Sequence, residues 1–207
     1  MNRRRFLAAG RTMLASTVLA GALFSGSAAA GSSHLRYRWD IIQIDFAAGR
    51  LGPGGHASAI AQDGSTITLT GHGTFVAGKH VGDHQVTGGG TWQTFDAAGN
   101  STGQGTYQVT SFVSFVVAPG AFPPLQDLIG NPRRARSGLL FVTIRYSNGS
   151  TGVLTVSCRL PGPPPGPASM FEGIRVSMGY VDYWNGTAPP PPPGNGNRTV
   201  FHIIGRQ

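Results

Sequence analysis

From about residue 35 onward the chain alternates between apolar and polar residues with a period of two, which is typical of β-strands. Turn residues divide this pattern into segments, and none of them shows the 3.6-residue period of a helix. Asp63-Gly64 and Asn148-Gly149 each lie between two alternating segments, as expected for the tight turns of β-hairpins. The predicted strands are 35–46, 57–62, 66–76, 84–95, 106–117, 139–146, 153–160, 174–184 and 199–204.

Three of these segments carry a Gly-x-Gly-Thr-aromatic motif, which ends in Phe75, Trp92 and Tyr107. Because alternate side chains of a strand point to the same face, both glycines and the ring of each copy share one face. Glycine inside a strand marks a bend or a close approach, and a neighbouring ring can cover the gap that it leaves. The motif therefore predicts a strongly curled antiparallel sheet. If the loop over residues 78–83 closes its hairpin symmetrically, Gly71 and Gly73 lie close to opposite Gly90 and Gly88.

Short connections between the segments predict a single all-β domain over residues 31–207. We expect a mainly antiparallel, curled β-barrel of about eight to nine strands, because closure removes exposed strand edges. A two-sheet β-sandwich is the alternative. Proline tracts at 161–167 and 189–193 cannot continue a sheet ladder and are predicted to be loops. The glycine-rich alternation is similar to the small barrels of the dirigent and allene oxide cyclase type, without a shared motif.

The first thirty residues have the composition of a targeting segment. A basic start containing Arg3-Arg4 is followed by an apolar stretch over 13–24 and by the small residues of 27–30. This resembles a twin-arginine (Tat) export signal. The resemblance implies that residues 1–30 are a signal peptide, that the Tat export machinery is a partner, and that the mature protein is periplasmic or extracellular. The general secretory route and a membrane anchor are the alternatives, although the apolar stretch is short for a bilayer span.

Charge and cysteine content narrow the function classes. Loss of the arginines in residues 1–30 halves the formal charge of +8, and the remaining basic residues form no dense stripe. We therefore expect neither nucleic-acid binding nor membrane insertion after cleavage. Cys158 is the single cysteine, so no intramolecular disulfide can form. The sequence contains no nucleophile elbow and no phosphate or dinucleotide motif, and we predict no cofactor.

Candidate catalytic residues are His72, Glu172 and Asp182, because imidazole and carboxyl groups exchange protons. Glu172 is the only glutamate and begins a predicted strand, where a polar cluster at the barrel mouth and a structural ion pair are both possible interpretations. A His-His-Asp metal site is a further hypothesis for one hairpin, with a solvated loop as its alternative. Its candidate ligands are His72, His80, Asp83 and His84.

Rings on the glycine-bearing face are the candidates for ligand binding, since they can line a cavity left open by missing side chains. The candidate ligand-binding residues are Phe75, Trp92, Tyr107, Arg175 and Tyr180. The sequence favours a non-catalytic module that binds a small molecule. A barrel enzyme of the isomerase or cyclase type and an envelope structural or interaction protein are the alternatives. The oligomeric state does not follow from the sequence.

Overall fold

The computed structural model describes residues 34–78 and 85–206, and nearly all of its regular structure is β. A short 3-10 helix spans Pro132–Arg134. No helix in this part of the chain has the length and apolar character needed to cross a membrane. The strands are β1 (Leu35–Asp45), β2 (Arg50–Pro53), β3 (Ala57–Ile60), β4 (Thr66–Leu69), β5 (His72–Ala77), β6 (Val86–Phe95), β7 (Ser101–Ala118), β8 (Gln126–Asp127), β9 (Ala135–Tyr146), β10 (Thr151–Cys158), β11 (Gly173–Met178), β12 (Val181–Tyr183), β13 (Asn185–Gly186) and β14 (Arg198–Arg206).

Six strands close into an antiparallel barrel in the order β1, β5, β6, β7, β9, β14 and back to β1. The predicted all-β antiparallel barrel is therefore confirmed, with the remaining strands lying outside the closed ring. β10, β11 and β12 extend the sheet from β9, while β3, β4 and β13 extend it from β6. β6 belongs both to the barrel and to the strands that extend it. Residues 86–89 pair with β5 of the barrel, and residues 92–95 pair with β4.

Two predicted strands are interrupted in the structure. Segment 66–76 divides into β4 and β5 at Gly71, whose φ of +151° is a backbone conformation that side chains rarely allow. Segment 174–184 is a hairpin of β11 and β12, with the turn at Gly179. Both errors have the same physical cause, since the alternation of apolar residues continues across a glycine that redirects the backbone.

The glycine-aromatic motif packs as a set of bare backbone patches covered by rings. Gly73 of β5 lies opposite Gly88 of β6, as the sequence predicted for glycines of the first two copies. The Trp39 indole lies against both glycines, so a side chain at either position would meet it. Trp92 similarly covers Gly103 and Gly105 of the next strand. The missing side chains thus make room for large rings from neighbouring strands.

Aromatic side chains fill the interior of the barrel. Phe75 stacks on Tyr37 at 5.3 Å between ring centroids and contacts Phe115 edge-on at 4.8 Å. Phe115 and Phe201 are 5.0 Å apart, and Phe112 stacks on Phe75 at 5.7 Å. Register shifts in β7 on either side of Phe112 allow Phe112 and Phe115 to face the interior although they are three residues apart.

A segment outside the barrel crosses the outer face of β1 and β14, and we call residues 119–131 the strap. β8, within the strap, pairs in parallel with β2. Asp127 lies 2.7 Å from Nε2 of His202 through Oδ2, while its Oδ1 accepts hydrogen bonds from the backbone of Ile129 and Gly130. Both side chains of this pair are buried. The strap is thereby fixed to β14 by a buried polar contact.

A cleft beside the barrel

A cleft of about 590 Å³ lies at the start of β14, between the strap, β1, β2 and the segments that flank β11. Four segments distant in sequence supply its walls, so the cleft is a product of the tertiary fold. Apolar side chains dominate its surface, and the polar groups are concentrated around one carboxyl. The apolar side chains are Ile42, Ile44, Phe46, Leu51, Pro123, Leu125, Leu160, Pro161, Met170, Phe171, Ala188 and Pro189, and the polar residues are Glu172, Arg159, Arg198 and Thr199.

The floor of the cleft is formed by β1, a strand that is buried on both of its faces. Trp39 and Ile41 point into the barrel, whereas Ile42 and Ile44 lie on the opposite face of the same strand. Both faces are covered, which explains why four consecutive residues from Trp39 to Ile42 are buried. The strap and β2 cover the outer face without filling it completely. The space that is left is the cleft.

Glu172 connects two strands that do not pair with each other at this point. Its Oε1 accepts a 2.7 Å hydrogen bond from the backbone N–H of Thr199 and a 3.3 Å bond from the Thr199 hydroxyl. Its Oε2 accepts a hydrogen bond from the backbone N–H of Arg159, just after β10. The carboxyl therefore satisfies donors from the end of β10 and the start of β14.

Burial in this apolar surrounding raises the pKa of Glu172 from 4.5 to about 7, because desolvation disfavours the charged carboxylate. The hydrogen bonds from Arg159 and Thr199 oppose the shift, and the charge of Arg198 opposes it further. The balance favours a neutral carboxyl below neutral pH. A perturbed acid in a cleft is a common feature of binding and catalytic sites, although structural carboxyls have it as well.

Arg198 holds the second proline tract against the cleft. Its guanidinium donates hydrogen bonds to the carbonyl oxygens of Pro190, Gly194 and Gly196 at 2.6 to 3.2 Å. The same group lies over the Phe46 ring, 5.3 Å from the centroid. Burial lowers the pKa of Arg198, and the Glu172 charge partly offsets this. Arg198 thus orders one rim of the cleft.

The three motif rings lie elsewhere. Phe75 is buried in the barrel interior, and Trp92 donates a 3.1 Å hydrogen bond from its indole to the Thr106 carbonyl. Tyr107 is also buried, and its hydroxyl donates to the Thr70 carbonyl at 2.8 Å. These rings pack against other side chains and bare backbone, and none of them is on the cleft surface.

The other sequence candidates are dispersed. Among the three candidate catalytic residues, Glu172 lines the cleft, whereas His72 and Asp182 are exposed and lie outside it. Tyr180 is fully exposed, and Arg175 lies over the Phe171 ring at 4.2 Å. The candidate metal ligands His80, Asp83 and His84 lie outside the described residues. Within residues 34–78 and 85–206, no group of three or more His, Cys, Asp and Glu side chains is arranged to hold a metal ion.

The sequence interpretation missed the residues that support the cleft. It singled out none of His202, Asp127, Arg159 and Arg198. A usable signal was present for two of them, because Asp127 is one of only eight acids and His202 lies in an apolar strand. A rare charged or titratable group in an apolar segment needs a buried partner.

Comparisons of the chain with family models, with curated proteins and with solved structures find no match. Function must therefore be argued from the site.

Proposed function

We propose that this chain is an exported, non-catalytic protein that binds a small, mainly apolar molecule in the cleft beside the barrel. The observation that carries the proposal is the cleft itself, with about 590 Å³ of space and a mostly apolar lining. Typical small-molecule sites have volumes of about 300 to 1,000 Å³, an apolar lining and a few convergent polar groups. The strap and the Arg198-bound proline loop form two of its rims.

The polar groups favour a neutral ligand with one hydrogen-bonding group. Glu172 is the one acid on the cleft surface, and its raised pKa of about 7 keeps the carboxyl neutral in mildly acidic solution. A neutral carboxyl can donate one hydrogen bond to a ligand hydroxyl or carbonyl oxygen. The apolar walls supply the larger part of the binding free energy, since burial of apolar surface contributes about 25 cal/mol per Å².

Binding is favoured over catalysis because the candidate acid-base residues do not converge. An isomerase or cyclase needs at least two such groups within hydrogen-bond reach of one bound substrate. Of His72, Glu172, Asp182, Tyr180 and Arg175, Glu172 alone belongs to the cleft. One carboxyl that is already engaged by three donors is better suited to fixing a ligand's orientation.

A rim substitution tests the binding proposal without disturbing the core. Ala188 is exposed and lines the cleft, so Ala188→Trp adds bulk where the ligand would sit. Ala98→Trp places the same ring in an exposed turn away from the cleft and serves as the matched control. Binding of neutral cyclic and aliphatic alcohols and ketones is measured by calorimetry and by thermal shift.

We expect at least one compound to bind the natural chain and the Ala98→Trp variant, with at least tenfold weaker binding by Ala188→Trp. Absence of binding by every compound, or equal affinity of the two variants, contradicts the proposal.

The export part of the proposal rests on residues 1–30. Replacing Arg3 and Arg4 with lysine keeps the charge but removes the guanidinium pair of the twin-arginine pattern. We expect the double variant to accumulate inside the cell with its N-terminus intact, while an Arg11→Lys control is exported and shortened. Mass spectrometry of the envelope and cytoplasmic fractions measures both, and unchanged export of the double variant contradicts the Tat route.

A further inference from the structure

We propose that the cleft is one end of a longer groove along β1, and that its ligand is an unbranched aliphatic alcohol long enough to occupy the whole groove. The inference rests on the proposed ligand-binding function and names the class of ligand. It starts from a second cavity of about 420 Å³, which lies beside the cleft at the end of β1. Ile44 and Phe46 line both cavities, so the two spaces share a floor.

Two walls of the cleft continue into the second cavity. β2 contributes Leu51 to the cleft, and the next residue, Gly52, lines the second cavity. The strap contributes Leu125 to the cleft and Leu128 to the second cavity. Both segments therefore run alongside the two spaces in succession, as the sides of one groove would.

The Arg198-bound proline loop forms a third continuous wall. Pro189 lines the cleft, whereas Pro193 and Asn195 line the second cavity. The Asn195 side-chain oxygen accepts a 2.7 Å hydrogen bond from the backbone N–H of Ile44, which fixes the loop to the shared floor. The same three segments thus enclose both spaces over β1.

The polar anchor of the groove lies at one end of it. Thr199, which donates hydrogen bonds to Glu172, lies opposite Ile41 in the pairing of β14 with β1. From this point the floor runs through Ile42 to Phe46, a distance of about 13 Å in an extended chain, toward the second cavity. Glu172 is therefore at the near end of the groove and the second cavity is at the far end.

This arrangement favours a molecule with one hydroxyl and an unbranched apolar tail. A hydroxyl can donate to or accept from the Glu172 carboxyl in either protonation state, whereas a ligand carboxylate would meet a like charge once Glu172 ionises. The charged residues of the second cavity, Asp45 and Arg50, bind each other at 3.1 Å and need no charged ligand group. A compact ring-shaped ligand would fill the cleft alone, but an extended chain also covers the apolar surface of the second cavity.

A series of hexanol, octanol, decanol and dodecanol tests the length of the site by calorimetry on the purified chain. Because each buried CH₂ group adds about fourfold to the binding constant, we expect affinity to rise steadily from hexanol to decanol. An affinity that stops rising after hexanol would overturn the groove and leave binding in the cleft intact. Absence of binding by every alcohol would contradict the proposed function as well.

Gly52→Leu closes the far end of the groove selectively. The first carbon of the added side chain would lie 3.8 Å from Cδ1 of Leu128, an ordinary contact, so the variant should fold with the second cavity filled. We expect it to bind hexanol as the natural chain does and decanol at least tenfold more weakly. Gly205→Leu is the matched control, because nothing lies near its added side chain and it is outside both cavities.

Unchanged hexanol binding also serves as the folding control for Gly52→Leu. If this variant binds decanol as tightly as the natural chain, the second cavity is not part of the site. Contacts in NMR spectra between bound decanol and methyl groups of the chain give its orientation. We expect the terminal methyl group of decanol to contact Leu128 and its hydroxyl-bearing carbon to contact Leu160. The reverse orientation, or a terminal methyl group that contacts neither residue, would overturn the proposal.

Discussion

The barrel interior and the cleft lie on opposite faces of β1, and they differ in how their space is filled. In the interior, the Trp39 ring occupies the room left by Gly73 and Gly88 of neighbouring strands, and Phe75 stacks on Tyr37. On the outer face, Ile42 and Ile44 end at a space that the strap does not fill. A repeated sequence motif thus produces dense packing, whereas the open space arises where unrelated segments meet.

The glycine-aromatic motif of this chain therefore indicates close packing of the sheet and does not mark a ligand cavity. The sequence interpretation placed a ligand on the motif rings, because missing side chains suggest an open cavity. In the structure, Trp92 covers Gly103 and Gly105, and the Tyr107 hydroxyl lies over Gly71. Rings of other copies of the motif therefore occupy these gaps, and Trp39 occupies those at Gly73 and Gly88. We therefore propose that the motif stabilises the curled sheet, whereas the cleft is where a ligand would bind.

The largest expected effect tests the dense region. Gly73→Ala would place a methyl group against the Thr87 carbonyl oxygen and 2.6 Å from the Trp39 indole nitrogen. We expect a loss of at least about 5 kcal/mol in the free energy of unfolding, enough to prevent folding. Gly205→Ala in β14 is the control, because nothing lies near its added methyl group, and its stability should stay within about 1 kcal/mol. Circular dichroism shows whether each variant folds, and urea denaturation measures the stability of any variant that does; equal stabilities would show that the patch is not closely packed.

A pair of phenylalanine substitutions separates packing from binding. Phe75→Ala removes a ring from the filled interior and is expected to cost about 4 kcal/mol of stability. Phe46 is only partly buried at the cleft, so Phe46→Ala should cost about 1 kcal/mol and weaken ligand binding about tenfold. Denaturation and calorimetry on both variants make the comparison. If Phe75→Ala folds normally and loses ligand affinity, the roles of the two regions are reversed.

The titration of Glu172, which lines the cleft, should make stability depend on pH, with a smaller effect than Gly73→Ala or Phe75→Ala. The pKa of Glu172 in the folded chain, about 7, lies above its ordinary value of 4.5, so the folded chain binds this proton more tightly than the unfolded chain does. Stability from this group is therefore full below about pH 4.5 and falls as pH rises to about 7, by roughly 3 kcal/mol. Above pH 7 the loss is complete.

Glu172→Gln isolates this contribution, because glutamine keeps the shape of the side chain and does not titrate. The difference in unfolding free energy between the natural chain and the variant should change between pH 4.5 and 7 and be constant outside that interval. A difference that is flat with pH shows that the carboxyl is not perturbed by its surroundings.

Local turn chemistry made much of the fold predictable. Asp63-Gly64 and Asn148-Gly149 do connect paired strands, β3 with β4 and β9 with β10. The sequence failed where a glycine redirects an otherwise regular alternation, as at Gly71. The short strands β2, β8 and β13 were also missed, since two to four residues carry too little periodicity to be recognised.

The cleft was less predictable than the fold. Glu172 was noticed because it is the only glutamate, but its partners are backbone groups of Arg159 and Thr199, which have no side-chain signature. The contact between Asp127 and His202 joins residues 75 positions apart, and only the tertiary fold brings them together. When a site is assembled from separate loops, its residues show no characteristic spacing in the sequence.

A methyl-resolved NMR titration with the tightest neutral ligand shows whether the ligand binds in the cleft or in the barrel interior. The account predicts that the methyl signals of Ile44, Leu125 and Met170, which line the cleft, shift on binding and show contacts to the ligand. Signals of Val142 and Leu140, which are buried in β9, should change little. Contacts between the ligand and the interior methyl groups, with the cleft signals unchanged, would contradict the account.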